Sequence, residues 1–281
     1  MYNPDPYRPP VSYYGYGGPS RRRGGVGGLL RQINWEIVAG FAILFGFFVF
    51  VLTRNDDRWL VPGTIGLVIV GWVFSLCLHE YAHAATAYLG GDTSDSTASY
   101  LTFNPLKYVH PVLSILLPLA FILIGGIALP GGAVYLRRDL VRSRGWQSAI
   151  SLAGPAMNLL VAALLAIPFA LGLISGYPML RNALALLAFF QIAAVILNLL
   201  PIPPLDGFNA IAPFLSYGTR ASLQSLGSYT FILIFFALSF IPQLNAAFFD
   251  GVFRLLADLR ISPEAAINGL ITFQSILHGG Q

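Results

Sequence analysis

"SLCLHEYAHAATAYLGG", residues 75–91, places two histidines and a glutamate at the far end of an apolar run that begins near Leu60. Ionisable side chains are expensive in hydrocarbon, so each needs a chemical reason to be there. Pro62 suits the first turn of a helix, and at ~1.5 Å per residue His79 lies about 25 Å further along its axis. The three polar residues therefore sit within a membrane, toward one face. His79 and His83 are four apart and project from the same side of the helix, where they can share one metal ion. Glu80 is adjacent, within reach of a water on that metal rather than the metal itself.

Composition supports the membrane setting. Of 281 residues 56% are hydrophobic and only 10% charged, with a mean hydropathy of +0.70, whereas a soluble domain carries roughly 25% charged residues. One aqueous core cannot hide that much apolar surface. The single cysteine, Cys77, rules out an intramolecular disulfide framework. Nothing in the charge pattern suggests a nucleic-acid partner; the lipid bilayer is the expected one.

Uncharged runs at 37–53, 60–78, 111–136, 147–180, 182–205 and 221–249 compare with the ~20 residues that a helical crossing needs. The predicted fold is an all-α polytopic membrane protein with five to six transmembrane helices. Residues 1–30 read as a disordered tail rich in Pro, Gly and Tyr, with arginines near its end, unlike a secretory signal peptide. Residues 31–249 form the membrane core, and 250–281 an amphipathic C-terminal segment.

His-Glu-x-x-His on a helix is the pattern of two zinc ligands and a general base. A catalytic zinc normally has three protein ligands and an open position. Asp206 is the best candidate for the third, because it follows Pro201, Pro203 and Pro204, which forbid regular helix just before it. Broken backbone at membrane depth is tolerated where it lines a buried site.

His79, Glu80 and His83, followed downstream by Asn198, Pro201, Pro203, Leu205, Asp206 and Gly207, resemble the site-2 protease family of intramembrane zinc metalloproteases. Gly154, Pro155 and Asn158 in "SLAGPAMNLLVA" (151–162) resemble its Gly-Pro-x-x-Asn element. The resemblance implies one Zn2+ per chain on His79, His83 and Asp206, Glu80 as catalytic base, and Asn158 holding substrate or oxyanion. It also implies single-pass membrane proteins as substrates. "NPLKYVHP" departs from the family's usual Asn-Pro-Leu-x-His-x-Asp-Pro, with Tyr108 and His110 in the altered places. Competing readings of the same site are a zinc hydrolase of non-peptide substrates and a metal-binding transporter.

The site makes a topological demand. His83 and Asp206 both lie near the ends of their helices and can meet only after an even number of crossings between them. A re-entrant segment at 111–136, which holds three prolines and four glycines, satisfies this. With it, and with the N-terminus cytoplasmic, eleven Lys and Arg residues face the cytoplasm against three outside, leaving out Arg254 and Arg260. That orientation places the N-terminus and the active-site face on the cytoplasmic side of a cell membrane. Finally, "STASYLTF" (96–103) alternates polar and apolar residues, as a strand of a short β-hairpin near the active site would, and could pair with an unwound substrate.

Overall fold

Asn34 starts the first long helix by accepting the Ile37 amide on its side chain, at 3.4 Å. In the computed structural model, which describes residues 31–107, 137–225 and 230–275 together with Gly27, Leu29 and Gly227, this helix (α1, Trp35–Thr53) is one of four long and apolar enough to cross a membrane. The others are α2 (Leu60–Gly90, entered through a turn at Asp57–Trp59), α4 (Arg144–Ala170) and α5 (Pro178–Asn198). Large apolar side chains such as Ile43, Phe50 and Leu164 are exposed on α1 and α4. Surfaces of this kind suit lipid rather than water, and the chain is a multi-pass membrane protein.

α5 is the hub. Nearly every residue from Ala183 to Ala193 is buried, and α1, α2, α4 and the C-terminal helices all pack on it. Trp72 of α2 stacks on Phe190 of α5 with ring centroids 5.5 Å apart. Two interhelical contacts require glycine. A Cβ at Gly71 would meet Leu187, and one at Gly269 would lie on the Asn182 carbonyl.

Among the described residues the fold is entirely helical. The strand expected over 96–103 is instead a short helix, α3 (Asp95–Ser99), followed by irregular chain. Local side-chain bonds decide this. Ser94 caps the helix by accepting the Thr97 amide, and Asp92 accepts from Ser94 and Thr97, so short polar side chains compete successfully with a sheet ladder. The proposed re-entrant segment at 111–136, with Tyr108 and His110, lies outside the described residues.

The apolar run at 221–249 is not one crossing. It is divided among α7 (Tyr217–Gln224), α8 (Thr230–Phe240) and α9 (Pro242–Asp258). Pro242 lacks an amide hydrogen and biases its predecessor away from helix, and Ile241 is extended (φ −109°, ψ 97°). The last helix, α10 (Pro263–Gln274), packs against α5 and α2, burying Ala265, Ala266 and Phe273.

A candidate metal centre at the end of α2

Three elements bring the centre together. α2 carries His79, Glu80 and His83, all buried. α4 runs past them with Ile150, Gly154 and Asn158, also buried. The third is α6 (Asp206–Ile211), which begins after the proline-interrupted stretch that follows α5. Gly207 allows that approach, because a Cβ there would strike the Leu199 and Leu200 carbonyls. Ser148 of α4 donates its hydroxyl to the Ala210 carbonyl at 2.6 Å, tying the end of α6 to α4.

The ligand atoms form a small triangle. His79 Nε2 and His83 Nε2 are 3.0 Å apart, and Asp206 Oδ2 lies 3.3 Å from the first and 3.4 Å from the second. Ligand atoms on a tetrahedral zinc with bonds of about 2.0–2.1 Å stand about 3.3–3.4 Å apart, so the donor set fits that ion.

The outer ring nitrogens explain why the triangle needs a cation. His79 Nδ1–H donates to Asn158 Oδ1 at 2.8 Å, and His83 Nδ1–H donates to the Ile150 carbonyl at 2.6 Å. Both acceptors lack a proton of their own, so each neutral imidazole carries its hydrogen on Nδ1 and turns a lone pair inward from Nε2. Two lone pairs and a carboxylate oxygen then converge. Without a cation between them they repel; a metal ion reverses the sign of that interaction. Gly154 keeps the space open, because a Cβ there would fall on His83 Nε2 and within 2.5 Å of His79 Nε2. Among the described residues, His79, His83 and Asp206 are the group placed to hold a metal. The three ligands lie together, as a shared metal site requires.

Glu80 is 4% exposed and interacts electrostatically with His79, His83 and Asp206. Among the described residues no hydrogen bond occupies its carboxyl group. Asn158 stands against His79, a contact that sequence reasoning did not foresee. The Ile150 carbonyl was also missed, since a backbone group has no residue-type signature. Pro155 is a signal only one residue away, since it deprives the Ser151 carbonyl, not that of Ile150, of its helical partner.

The chain is 45% identical over 196 residues to "Putative zinc metalloprotease Rip2" of Mycolicibacterium smegmatis, covering 68% of this chain and 73% of that protein. Its identity to the protein of the same name from Mycobacterium tuberculosis is 41% over 210 residues, covering 74% of this chain and 80% of that one. It is also 32% identical over 188 residues to "Putative zinc metalloprotease YwhC" of Bacillus subtilis, covering 64% and 82%. No family model and no solved structure matches.

Proposed function

This chain belongs to the site-2 protease family of zinc metalloproteases, and we propose that it hydrolyses peptide bonds within or beside the transmembrane segments of membrane-tethered, single-pass proteins. The observation that carries this reading is the triangle of His79, His83 and Asp206, closed beside the buried Glu80, whose carboxyl group has no hydrogen-bond partner among the described residues.

His79, His83 and Asp206 would hold the zinc, which would supply Lewis acidity toward a water and a peptide carbonyl. Glu80 takes the proton of the attacking water and returns it to the departing amine. The lack of a protein donor to its carboxylate among the described residues supports this role. Asn158 holds His79 through Oδ1, and its Nδ2 hydrogens are left to steady the substrate carbonyl as negative charge develops on it. The balance of Lys and Arg read from the sequence supports an active-site face and an N-terminus on the cytoplasmic side.

The test has two parts. Zinc per chain is measured in detergent-purified wild type, Glu80→Gln, His79→Ala and Asp206→Ala. Cleavage of a panel of fluorescently labelled single-pass helices is then followed in liposomes. About one zinc in wild type and Glu80→Gln, loss in the other two, and cleavage by wild type alone are expected. Full zinc in Asp206→Ala would move the third ligand elsewhere. Zinc-loaded wild type that cuts no helix in the panel, yet hydrolyses lipid esters, would replace the peptide reading.

A further inference from the structure

Asp92 is completely buried, yet its carboxylate has no part in the proposed chemistry. It accepts four hydrogen bonds. Oδ1 takes the Ser94 amide at 3.2 Å and the Ser94 hydroxyl at 2.6 Å. Oδ2 takes the Thr97 hydroxyl at 2.5 Å and the main-chain amide of Arg137 at 2.9 Å. Three of these bonds shape a local turn. The fourth reaches 45 residues along the chain.

That fourth bond has a neighbour. The Arg142 amide donates to the Gly90 carbonyl at 3.0 Å, so 137–142 is pinned twice, to the last residue of α2 and to the turn just after it. Gly91 makes room by turning left-handed (φ +116°), where a side chain would be strained. Ser143 then caps α4, and Trp146 lies against Gly90. The start of α4 is thereby fixed in register on the end of α2. Register matters because α4 delivers the Ile150 carbonyl and Asn158 to the outer nitrogens of His83 and His79. A slip of one residue along α4, ~1.5 Å, would break both bonds.

We infer that Asp92 is a positioning residue for the metal centre, acting through the register of α4 to hold the two histidine rings in their metal-binding orientation. The inference rests on the zinc metalloprotease reading above. The carboxylate meets Arg137 through the main chain, while the Arg137 guanidinium is engaged with Asp139 at 2.7 and 3.0 Å. Side chain and cross-link can therefore be separated by mutation.

The experiment uses full-length protein in detergent. Zinc affinity is measured by chelator competition, the visible absorption of the cobalt(II)-substituted protein is recorded, and the melting point of the metal-free form serves as a fold control. Asp92→Asn leaves one oxygen where the carboxylate had two, so it cannot serve both the Ser94 donors and the Thr97–Arg137 pair. Arg137→Pro removes the main-chain donor alone; Arg137→Ala keeps it. Loss of an outer contact to a ligating histidine weakens metal binding about 10- to 100-fold. Asp92→Asn and Arg137→Pro are expected to fall in that range with a changed cobalt spectrum, and Arg137→Ala to match wild type. Should either of the first two fail to fold, Thr97→Val reads the same coupling, with a loss of a few-fold expected. Wild-type affinity and an unchanged spectrum in Asp92→Asn and Arg137→Pro would overturn the inference. So would equal losses in Arg137→Ala and Arg137→Pro. Wild type that binds no zinc would overturn the metal centre itself and this role with it.

Discussion

The two ends of the helical bundle are held by different forces. At the metal end, polar bonds cross between distant segments: Asp92 to Arg137, Arg142 to Gly90, Ser148 to Ala210, and Thr230 to the Pro203 carbonyl. At the opposite end the one comparable side-chain link among the described residues is exposed, from Asn55 to the Gly176 carbonyl at 3.2 Å. There the packing is apolar, with Leu52, Leu67, Leu180, Leu184 and Leu187 in one cluster. Regular helices satisfy their own backbone, so apolar packing is enough to hold them. The metal end contains chain breaks, and each freed backbone group needs a specific partner.

Substitutions should sort by end. The largest effect belongs to Glu80→Gln: cleavage of a single-pass helix in liposomes should fall by at least about 10²- to 10⁴-fold, with zinc content unchanged. Gly154→Ala comes next. Its methyl group would occupy the space between the histidine nitrogens, so metal analysis should find the zinc lost, and overpacking should cost about 1–3 kcal/mol of stability. Asn158→Ala leaves Nδ1 of His79 without its acceptor, and chelator competition should show zinc held about 10- to 100-fold more weakly.

The far end should behave in the opposite way. Leu52→Ala opens a cavity in the apolar cluster and should cost about 2–5 kcal/mol in thermal unfolding, while the purified protein keeps its zinc. Smallest of all is Asn55→Gly. Asn55 is left-handed (φ 51°), a conformation glycine accepts, so only an exposed hydrogen bond is lost, about 0.5–1.5 kcal/mol. If Leu52→Ala releases zinc as readily as Gly154→Ala does, the two ends are not separable and the contrast fails.

The same contrast explains what could be read from sequence. His79 and His83 were legible because helical spacing alone puts them on one side. Asp206 was legible because three prolines announce broken chain before a carboxylate. The long helices followed from apolar run length. The strand at 96–103 misled because its alternation of polar and apolar residues ignores what Asp92 and Ser94 do to the backbone beside them. Asn158 was singled out, but its contact with His79 was not, since nothing in a one-dimensional pattern says which face of α4 meets α2. The C-terminal segment reads as amphipathic from its composition alone; in the structure α10 packs on α5 through Gly269, whose spacing does not announce a helix contact.

The separation of the ligands along the chain also sets an order of events in biosynthesis. His79 and His83 leave the ribosome on α2, whereas Asp206 follows only after α4 and α5 have been made. A half-made chain thus carries two nitrogens and no third ligand, and an open two-histidine site holds zinc poorly. Competence is therefore expected only once α6 has docked and Asp206 has joined the two histidines.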